Sequence, residues 1–297
     1  MPPASTAPPA SPNPSPSASW PGFRPLLWFA SRFVLLLTRV GEHTVDSLQQ
    51  AYALLSFVGE VCLTLLRQSV QPRRWRWRPL LFNLQRAGFE ALPITGLTAA
   101  LLGVVVAYQG ADQLRHYGAN IFVVELVGYA MLREFAPLIT AIIIAGRSGS
   151  AYAAQIGTML VTEEIDAMRT IGIDPLEMLV LPKMFAMLLA LPLLTVFADL
   201  CGVLGGMLMA STQLGVGHHE FLQRFATEVP LSAFLLGLGK SLVFALVITL
   251  VGCFQGFRTG ANADSVGRQT TKSVVQAIFF VIMLDAAFSV VFSMLEL

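Results

Sequence analysis

Five charged residues stand inside long apolar stretches of the sequence. A charged side chain within a bilayer is costly, and it is normally paired with an opposite charge or faces a cavity. The functional interpretation is a polar lining, a latch between subunits or an ion relay. The structural interpretation is that these groups lie at the membrane surface or pair locally. The five residues are Arg133, Glu134, Arg147, Lys240 and Asp285.

Two of these charges belong to separate apolar stretches and have opposite signs. Lys240 and Asp285 could therefore pair across a helix bundle. Each charge would then compensate the other inside the bilayer. A buried pair of this kind is compatible with a structural role and with a functional one.

A short polar segment follows the apolar stretch that contains Arg147. We expect a helix over 162–170, with Thr162 as its N-cap and three acids in its first turn, because side-chain oxygens and negative charge suit a helix N-terminus. The Gly-Ile-Asp-Pro sequence at 172–175 predicts where this helix stops. The acids form either a solvated face or a docking surface for a basic groove. The residues of interest are Thr162, Glu163, Glu164, Ile165, Asp166, Ala167 and Met168.

The composition indicates a membrane protein. The chain has 297 residues, of which 55% are hydrophobic and only 12% are charged, and its mean hydropathy is +0.67. Soluble domains carry roughly a quarter charged residues. Several apolar runs exceed the ~20 residues that a helix needs to cross a bilayer. Because these runs are continuous rather than alternating, we expect an all-α membrane protein and not a β-barrel.

Five transmembrane helices are predicted, together with N-terminal interfacial helices and the short helix at 162–170. Lysine and arginine are dense before the first span and sparse in the loops after the first and third spans. This asymmetry places the N-terminus and the short helix in the cytoplasm and the C-terminus outside. The predicted spans are about 89–108, 126–159, 184–210, 231–254 and 273–295.

The first 87 residues fall into segments of different composition. Residues 1–22 are rich in Pro, Ala and Ser and are predicted to be a disordered tail. Residues 23–87 are predicted to contain interfacial amphipathic helices and a basic linker, although 23–40 could instead span. The arginines and tryptophans at 73–78 favour a cytoplasmic headgroup anchor over nucleic-acid binding in so hydrophobic a protein.

Small residues recur at intervals of four in two of the predicted spans. Such spacing lets another helix approach closely, and it indicates packing and not chemistry. The positions are Gly149, Ala153 and Gly157 in one span and Gly202 and Gly206 in another.

The motifs of several functional classes are missing. The sequence has no GxxxxGK[ST] phosphate-binding loop, so ATP binding of that kind is excluded. The three cysteines are far apart, and the adjacent His218 and His219 lack a third ligand, so no metal site is expected. No nucleophile–base signature stands out, and an enzyme is not expected. Asp199 stands in a span where an apolar residue is expected.

Many short motifs in order resemble the MlaE (YrbE-type) family of ABC transporter permeases, over roughly residues 50–297. Residues 88–297 correspond to the permease domain. The matching motifs are Leu132-Arg133-Glu134, Pro137, Ala145–Ser150, Thr162–Met168, Asp174-Pro175, Leu181-Pro182, Leu191–Thr195, Gly205-Gly206, Lys240–Ala245 and Thr270–Val275.

The resemblance implies a homodimeric permease of a bacterial inner membrane, with five spans and an N-terminal interfacial helix in each subunit. The helix at 162–170 would be a coupling helix seated in a groove of a separate cytoplasmic ATPase, which binds ATP and Mg²⁺. This chain would bind no cofactor or nucleic acid. The other partners would be a second copy of the chain, an MCE-domain substrate-binding protein and the cargo, which is usually phospholipid and in some relatives a sterol or phosphatidic acid.

Two alternatives remain open from the residues themselves. An ion-coupled secondary transporter would use Lys240, Asp285 and Glu134 as an ion relay and would need no ATP. A non-transporting scaffold of an envelope complex would tolerate neutralisation of the charges inside the spans.

Overall fold

The computed structural model describes residues 24–69, 77–115 and 120–295, and the regular elements in these ranges are all helical. The described chain forms two compact units, one ending at Ala53 and the other running from Leu54 onward. The packing and the candidate sites belong to the second unit. The predicted tail at 1–22 and most of the basic segment at 73–78 lie outside the described residues.

Eleven α-helices form the described chain, joined in places by short 3-10 and π-helical segments. The two π segments that matter for the site are Ala130–Phe135 and Ala145–Gly149. The helices are α1 (Arg24–Ser69), α2 (Trp77–Ala87), α3 (Leu92–Arg115), α4 (Val123–Tyr129), α5 (Ala136–Ile144), α6 (Ser150–Val161), α7 (Glu164–Thr170), α8 (Leu181–Leu214), α9 (His218–Glu228), α10 (Leu231–Phe257) and α11 (Ala263–Met294).

Six helical segments of the described chain are long and apolar enough to cross a membrane. Four of them contain a predicted span and extend it at one or both ends, and Ala263–Met294 contains the fifth except for its last residue. The sixth, Leu48–Arg67, falls where an interfacial helix was predicted, and by length and composition alone it could also cross a membrane. The acid and amides at 46–50 favoured the interface, but the 20 residues from Leu48 contain few charges. The segments are Leu48–Arg67, Arg78–Leu114, Val123–Val161, Leu176–Leu214, Leu231–Phe257 and Ala263–Met294.

Two local predictions differ from the structure. More than one interfacial helix was predicted within residues 23–87 before the basic linker, but α1 is one continuous helix of 46 residues. The stretch after the third predicted span was expected to be a loop, but it contains the amphipathic helix α9. Phe221 of α9 is fully buried, and its ring stacks on that of Phe225 at 6.4 Å. These two aromatic residues, four positions apart, hold the helix against the bundle.

The small residues do let helices approach closely, as predicted. On α6 and the preceding π segment, Gly149 and Gly157 contact α10 and Thr259, where an added Cβ would lie 3.2 Å from Ile248 Cγ2 and 2.6 Å from Thr259 Oγ1. On α8, a Cβ on Gly202 would lie 3.3 Å from the carbonyl oxygen of Ala99, and one on Gly206 would lie 2.5 Å from Val127 Cγ1. Ala153 is buried at the first of these contacts. The bundle thus brings the π segments against α10 and α11.

Candidate functional site

Three charged residues from three separate elements meet inside the bundle. Lys240 on α10 has a side chain that is 0% exposed, and its Nζ lies 2.5 Å from Glu134 Oε2 and 3.0 Å from Asp285 Oδ1. Glu134 belongs to the first π segment and Asp285 to α11. A buried ammonium group in a membrane protein needs such partners, because its desolvation is otherwise uncompensated. The pairing of Lys240 with Asp285 that the sequence allowed is present in the structure, and Glu134 is a second partner of Lys240.

A second cation makes this cluster electrically neutral. Arg133 Nε lies 3.4 Å from Glu134 Oε1, so two cations face two carboxylates. Ser289 Oγ donates a hydrogen bond to the same Glu134 oxygen at 3.1 Å. The charged groups of Arg133 and Lys240 each lie 5.8 Å from the centre of the Phe292 ring. We call Arg133, Glu134, Lys240, Asp285 and Ser289 the polar cluster.

The backbone around the polar cluster explains how α10 comes so near. The segment Ala130–Phe135 is π-helical, so its turn is wider than that of an α-helix. Single π-helical turns of this kind are frequent at functional sites. Gly237 of α10 packs directly on the carbonyl oxygen of Leu132, and a Cβ at Gly237 would overlap that oxygen. One turn later, Lys240 reaches Glu134. The glycine therefore allows the close approach that places the two charges in contact.

Arg147 does not join the polar cluster. Its Nη1 donates to the carbonyl oxygen of Arg86 at 2.9 Å, and its Nη2 donates to Glu90 Oε2 at 2.5 Å. Both acceptors lie beside the junction between α2 and α3, which comprises Gly88 and the 3-10 turn Phe89–Ala91. Arg147 thus ties the second π segment to this junction, 57 residues from Glu90 in sequence. Glu90 had not been singled out, and no local pattern identifies it as the partner.

The short helix α7 forms at the predicted place, with a different start. Glu163, not Thr162, occupies the N-cap position, and it adopts the left-handed conformation with φ of 60°. Thr162 does not cap the helix, because its hydroxyl donates instead to the carbonyl oxygen of Thr158 at 3.1 Å and to Glu164 Oε1 at 3.0 Å. At the other end, Gly172 has φ of 78° and ends the helix as predicted.

The exposed face of α7 carries the acids. Ile165 is fully buried and anchors the helix, whereas Glu163, Glu164, Asp166 and Ala167 are exposed and Met168 is half-buried. Asp166 Oδ1 accepts a hydrogen bond from Arg169 at 3.1 Å. Ile171, which the sequence analysis had not singled out, is 73% exposed directly after the helix. The surface is therefore acidic with an apolar tip, and we call it the α7 surface.

Other candidate residues lie apart from these sites. His218 and His219 are exposed at the start of α9. Among the residues that the structure describes, no three His, Cys, Asp or Glu side chains are grouped to hold a metal ion. Asp199 is buried in α8, and within the described chain its Oδ1 has no hydrogen-bond partner. We have no physical account of that carboxylate.

Comparison with known proteins gives consistent matches. Residues 80–291 match the family model described as Permease MlaE. A probable ABC transporter permease protein of Rickettsia typhi is 31% identical over 249 residues, which cover 82% of this chain and 92% of the relative. One from Synechocystis is 35% identical over 230 residues, with coverage of 77% and 86%. Protein TRIGALACTOSYLDIACYLGLYCEROL 1, chloroplastic, of Arabidopsis thaliana is 31% identical over 231 residues, with coverage of 78% and 65%.

Proposed function

The chain belongs to the MlaE permease family, and from this membership we propose that it is the membrane-spanning subunit of an ABC transporter that moves phospholipid between the bacterial inner membrane and the outer envelope. Two copies would form the permease, with a cavity at the dimer axis. A separate cytoplasmic ATPase would supply the energy, and an MCE-domain protein would exchange lipid with the permease outside the membrane.

The α7 surface is the observation that carries this proposal. In sequence the helix lies between two long apolar segments, Val123–Val161 and Leu176–Leu214; it contacts α6 of the first, and its Ile165 is fully buried. Its exposed acids suit a basic groove, and its exposed Ile171 suits an apolar pocket within that groove. A force applied to this short, anchored helix would be passed to both spans. ATP and Mg²⁺ would bind to the partner ATPase and not to this chain.

Lipid is the cargo that the chemistry favours. The spans present many exposed leucine, valine and phenylalanine side chains, which suit acyl chains. The Arabidopsis relative bears the name of a glycolipid, trigalactosyldiacylglycerol, and this name supports a lipid cargo. Phospholipid is the lipid that we propose for a bacterial inner membrane.

The polar cluster is the element that we propose as a latch between two states of the permease. Its charges belong to the first π segment, α10 and α11, so a relative movement of these elements would separate them. An ATP-driven transporter needs two states with different affinities for its cargo. The polar cluster would stabilise one of them. Arg147 would act as a second latch at the α2–α3 junction.

The orientation follows from the distribution of basic residues. We propose that the α7 surface and the N-terminus face the cytoplasm and that the C-terminus faces the periplasm. In this arrangement Leu48–Arg67 lies along the cytoplasmic interface. A reporter enzyme fused to the N-terminus and active only outside the cytoplasm should therefore stay inactive, and an active reporter would show that Leu48–Arg67 crosses.

Co-purification tests the proposal. We would extract the full-length chain from membranes in a mild detergent and identify everything that co-elutes by mass spectrometry. The proposal requires an ATPase, an MCE-domain protein, bound phospholipid and a mass for two copies of the chain. A chain that elutes without an ATPase, under conditions that keep other ABC complexes intact, would overturn it. Ion-coupled transport through Glu134, Lys240 and Asp285 would then be the function to test.

A further inference from the structure

Two lysines are buried in the described chain, and only one of them has a carboxylate partner. Lys240 is neutralised within the polar cluster. Lys183, in the first turn of α8, is 3% exposed and lies in the apolar segment Leu176–Leu214. Among the described residues its ammonium group has a ring contact but no hydrogen bond and no ion pair. A buried charge of this kind is costly unless another group compensates it.

The ring that Lys183 contacts belongs to Tyr152 of α6. The ammonium nitrogen lies 5.7 Å from the centre of this ring. A cation–π contact attracts the ammonium, but the ring has no net charge with which to neutralise it. Tyr152 is itself 5% exposed, and its hydroxyl is buried without a hydrogen-bond partner in the part of the chain that the structure describes. Because buried hydroxyls are normally hydrogen-bonded, two polar groups at one place lack their expected partners.

A third helix contributes Cys253. This residue of α10 is fully buried, and it is near enough to Lys183 for the two to interact electrostatically. A thiol is a weak hydrogen-bond donor and acceptor, so it does not replace a counter-charge. We call Tyr152, Lys183 and Cys253 the Lys183 site. It is separate from the polar cluster, because the 13 residues of α10 between Lys240 and Cys253 span about 20 Å.

Rearranging protons within the Lys183 site does not satisfy it. Loss of a proton from Lys183 would remove the charge, and transfer of the Cys253 proton would create an opposite charge. In either case the hydroxyl of Tyr152 would still donate to no acceptor in the described chain. A water molecule could accept from Tyr152 and Lys183, but it would leave the lysine charge uncompensated. An anion supplies both an acceptor and a negative charge.

We propose that the Lys183 site binds one small monovalent anion of the size of chloride. One lysine neutralises one negative charge, so the site suits a monovalent ion better than a divalent phosphate. The phosphate of a lipid would also carry a single charge, but its glycerol and acyl chains could not enter among side chains that are at most 5% exposed. The ion would accept hydrogen bonds from the Lys183 ammonium and the Tyr152 hydroxyl, and it would join α6 to α8.

The Lys183 site lies near the end of the bundle from which α7 emerges. Cys253 is four residues before the end of α10 at Phe257, and a Cβ on Gly256 would lie 3.1 Å from the carbonyl oxygen of Ala153 on α6. An anion from the aqueous phase on that side would therefore cross only one or two helical turns to reach Lys183. The site does not depend on the proposed transport activity.

Equilibrium dialysis with radioactive chloride tests the site directly. The full-length chain, with any subunits that co-purify, would be held in an uncharged detergent without ATP. Gluconate, which is monovalent but too large for the site, would replace chloride at constant ionic strength, so that general screening by salt stays the same. We expect saturable chloride binding that includes one site for each permease chain.

Matched variants identify the residues that hold the ion. Lys183→Met should remove one bound chloride per chain, whereas Lys272→Met, at an exposed lysine of α11, should remove none. Tyr152→Phe should raise the dissociation constant of that chloride at least about tenfold, because it removes a hydrogen bond to a charged group. Tyr108→Phe is its control, since Tyr108 is exposed.

Thermal unfolding separates loss of the ion from loss of the fold. In gluconate the wild-type chain keeps an uncompensated buried charge, so Lys183→Met should unfold at a higher temperature than the wild type. Chloride binds the folded chain and should therefore raise the unfolding temperature of the wild type. It should leave that of Lys183→Met unchanged.

Three results would overturn the proposal. The first is the absence of saturable chloride binding, which would leave water or a proton rearrangement as the explanation of the site. The second is equal chloride binding by the wild type and Lys183→Met, which would place the ion elsewhere. The third is phospholipid that co-purifies with the wild type in chloride-free buffer and is lost from Lys183→Met, which would assign the counter-charge to a lipid.

Discussion

The ammonium nitrogen of Lys240 lies 2.5 Å from a carboxylate oxygen of Glu134, although 106 residues separate the two in sequence. The Lys240 side chain is fully buried, while 30% of the Glu134 side chain remains exposed. Asp285, 14% exposed, contacts Lys240 from another helix. Lys240 is the most buried charge of the polar cluster, and it contacts both carboxylates. It therefore holds the polar cluster together.

Replacing Lys240 should therefore destabilise the protein strongly. Lys240→Met leaves two carboxylates close together without their common cation, and removal of one partner of a buried ion pair costs about 3–5 kcal/mol. We expect a clear fall in the thermal unfolding temperature of the detergent-solubilised protein. Lys272→Met, at an exposed lysine of α11, is the control and should change little. Equal unfolding temperatures for the two variants would contradict the buried pairing.

A triple variant separates the role of the charges from that of the packing. Lys240→Met with Glu134→Gln and Asp285→Asn removes the buried lysine together with both of its carboxylate partners, and Arg133, which loses Glu134, is 21% exposed. Stability should largely recover, because a neutral replacement of a buried ion pair is often tolerated. If the polar cluster is a latch, lipid transport should remain impaired in this stable variant. Normal transport would show that the polar cluster has a structural role only.

Arg147 should fix the α2–α3 junction through its two hydrogen bonds. Arg147→Gln removes the charge-assisted bonds to Glu90 and to the Arg86 carbonyl, and hydrogen bonds of charged groups contribute about 1.5–3 kcal/mol, less where the partner is exposed as Glu90 is. We expect faster hydrogen exchange at the backbone amides of 86–92. Arg169→Gln is the control, since Arg169 pairs with Asp166 on the exposed α7 and surface pairs contribute about 0–1 kcal/mol. Unchanged exchange at 86–92 would mean that packing alone fixes the junction.

Much of the fold could be predicted because membrane spans depend on local composition. Each long helix is specified by its own run of apolar residues, so each of the five predicted spans matches an observed helical segment, four of them entirely and the fifth to within one residue. Helix α9 was missed because its apolar residues form a stripe on a helix of only 11 residues, and they include Phe221 and Phe225. The spacing of these two residues was the available signal.

Partners in the candidate sites were less predictable, because pairing depends on tertiary structure. Lys240 and Asp285 were identified as a possible pair because they are opposite charges within two different apolar spans. Glu90 stands at the end of a predicted span, and no sequence feature pairs it with Arg147. Thr162 was expected to be the N-cap from residue preference, but the left-handed turn at Glu163 moves the helix start by one residue.

The α7 surface should carry the ATPase. Glu163→Arg with Asp166→Arg reverses two exposed charges of α7, and we expect the ATPase to be lost on purification. Arginine at position 163 adopts φ of 60° no more easily than glutamate, so the change tests charge and not the turn. Asp264→Arg, at an exposed acid in the first turn of α11, is the control. An ATPase that co-purifies equally with both variants would exclude these acids as docking residues.

The apolar tip of the α7 surface offers an independent test of docking. Ile171→Asp places a charge where a partner pocket should bury an apolar side chain, and interface anchors of this kind cost more than 1 kcal/mol when removed, or over fivefold in affinity. Because Ile171 is 73% exposed, the substitution should not lower the thermal unfolding temperature of the permease alone. The measurement is the amount of ATPase retained per permease. Retention at the level of the unsubstituted protein would place Ile171 outside the interface.

Gly237 should determine whether α10 can bring Lys240 to Glu134. A Cβ at Gly237 would overlap the carbonyl oxygen of Leu132, so Gly237→Ala must move α10 away from the first π segment, and overpacking of this kind costs about 1–3 kcal/mol. Gly239→Ala is a matched control on the same helix, because nothing lies within 4 Å of the added Cβ. Alanine favours a helix by up to about 1 kcal/mol over glycine, so the control should be neutral or stabilising. We expect Gly237→Ala to lower the unfolding temperature and Gly239→Ala to leave it unchanged or raise it. Gly237→Ala should also reduce the further destabilisation caused by Lys240→Met, because the polar cluster is already disturbed. Additive effects of these two substitutions would show that the close approach of α10 and the polar cluster are independent.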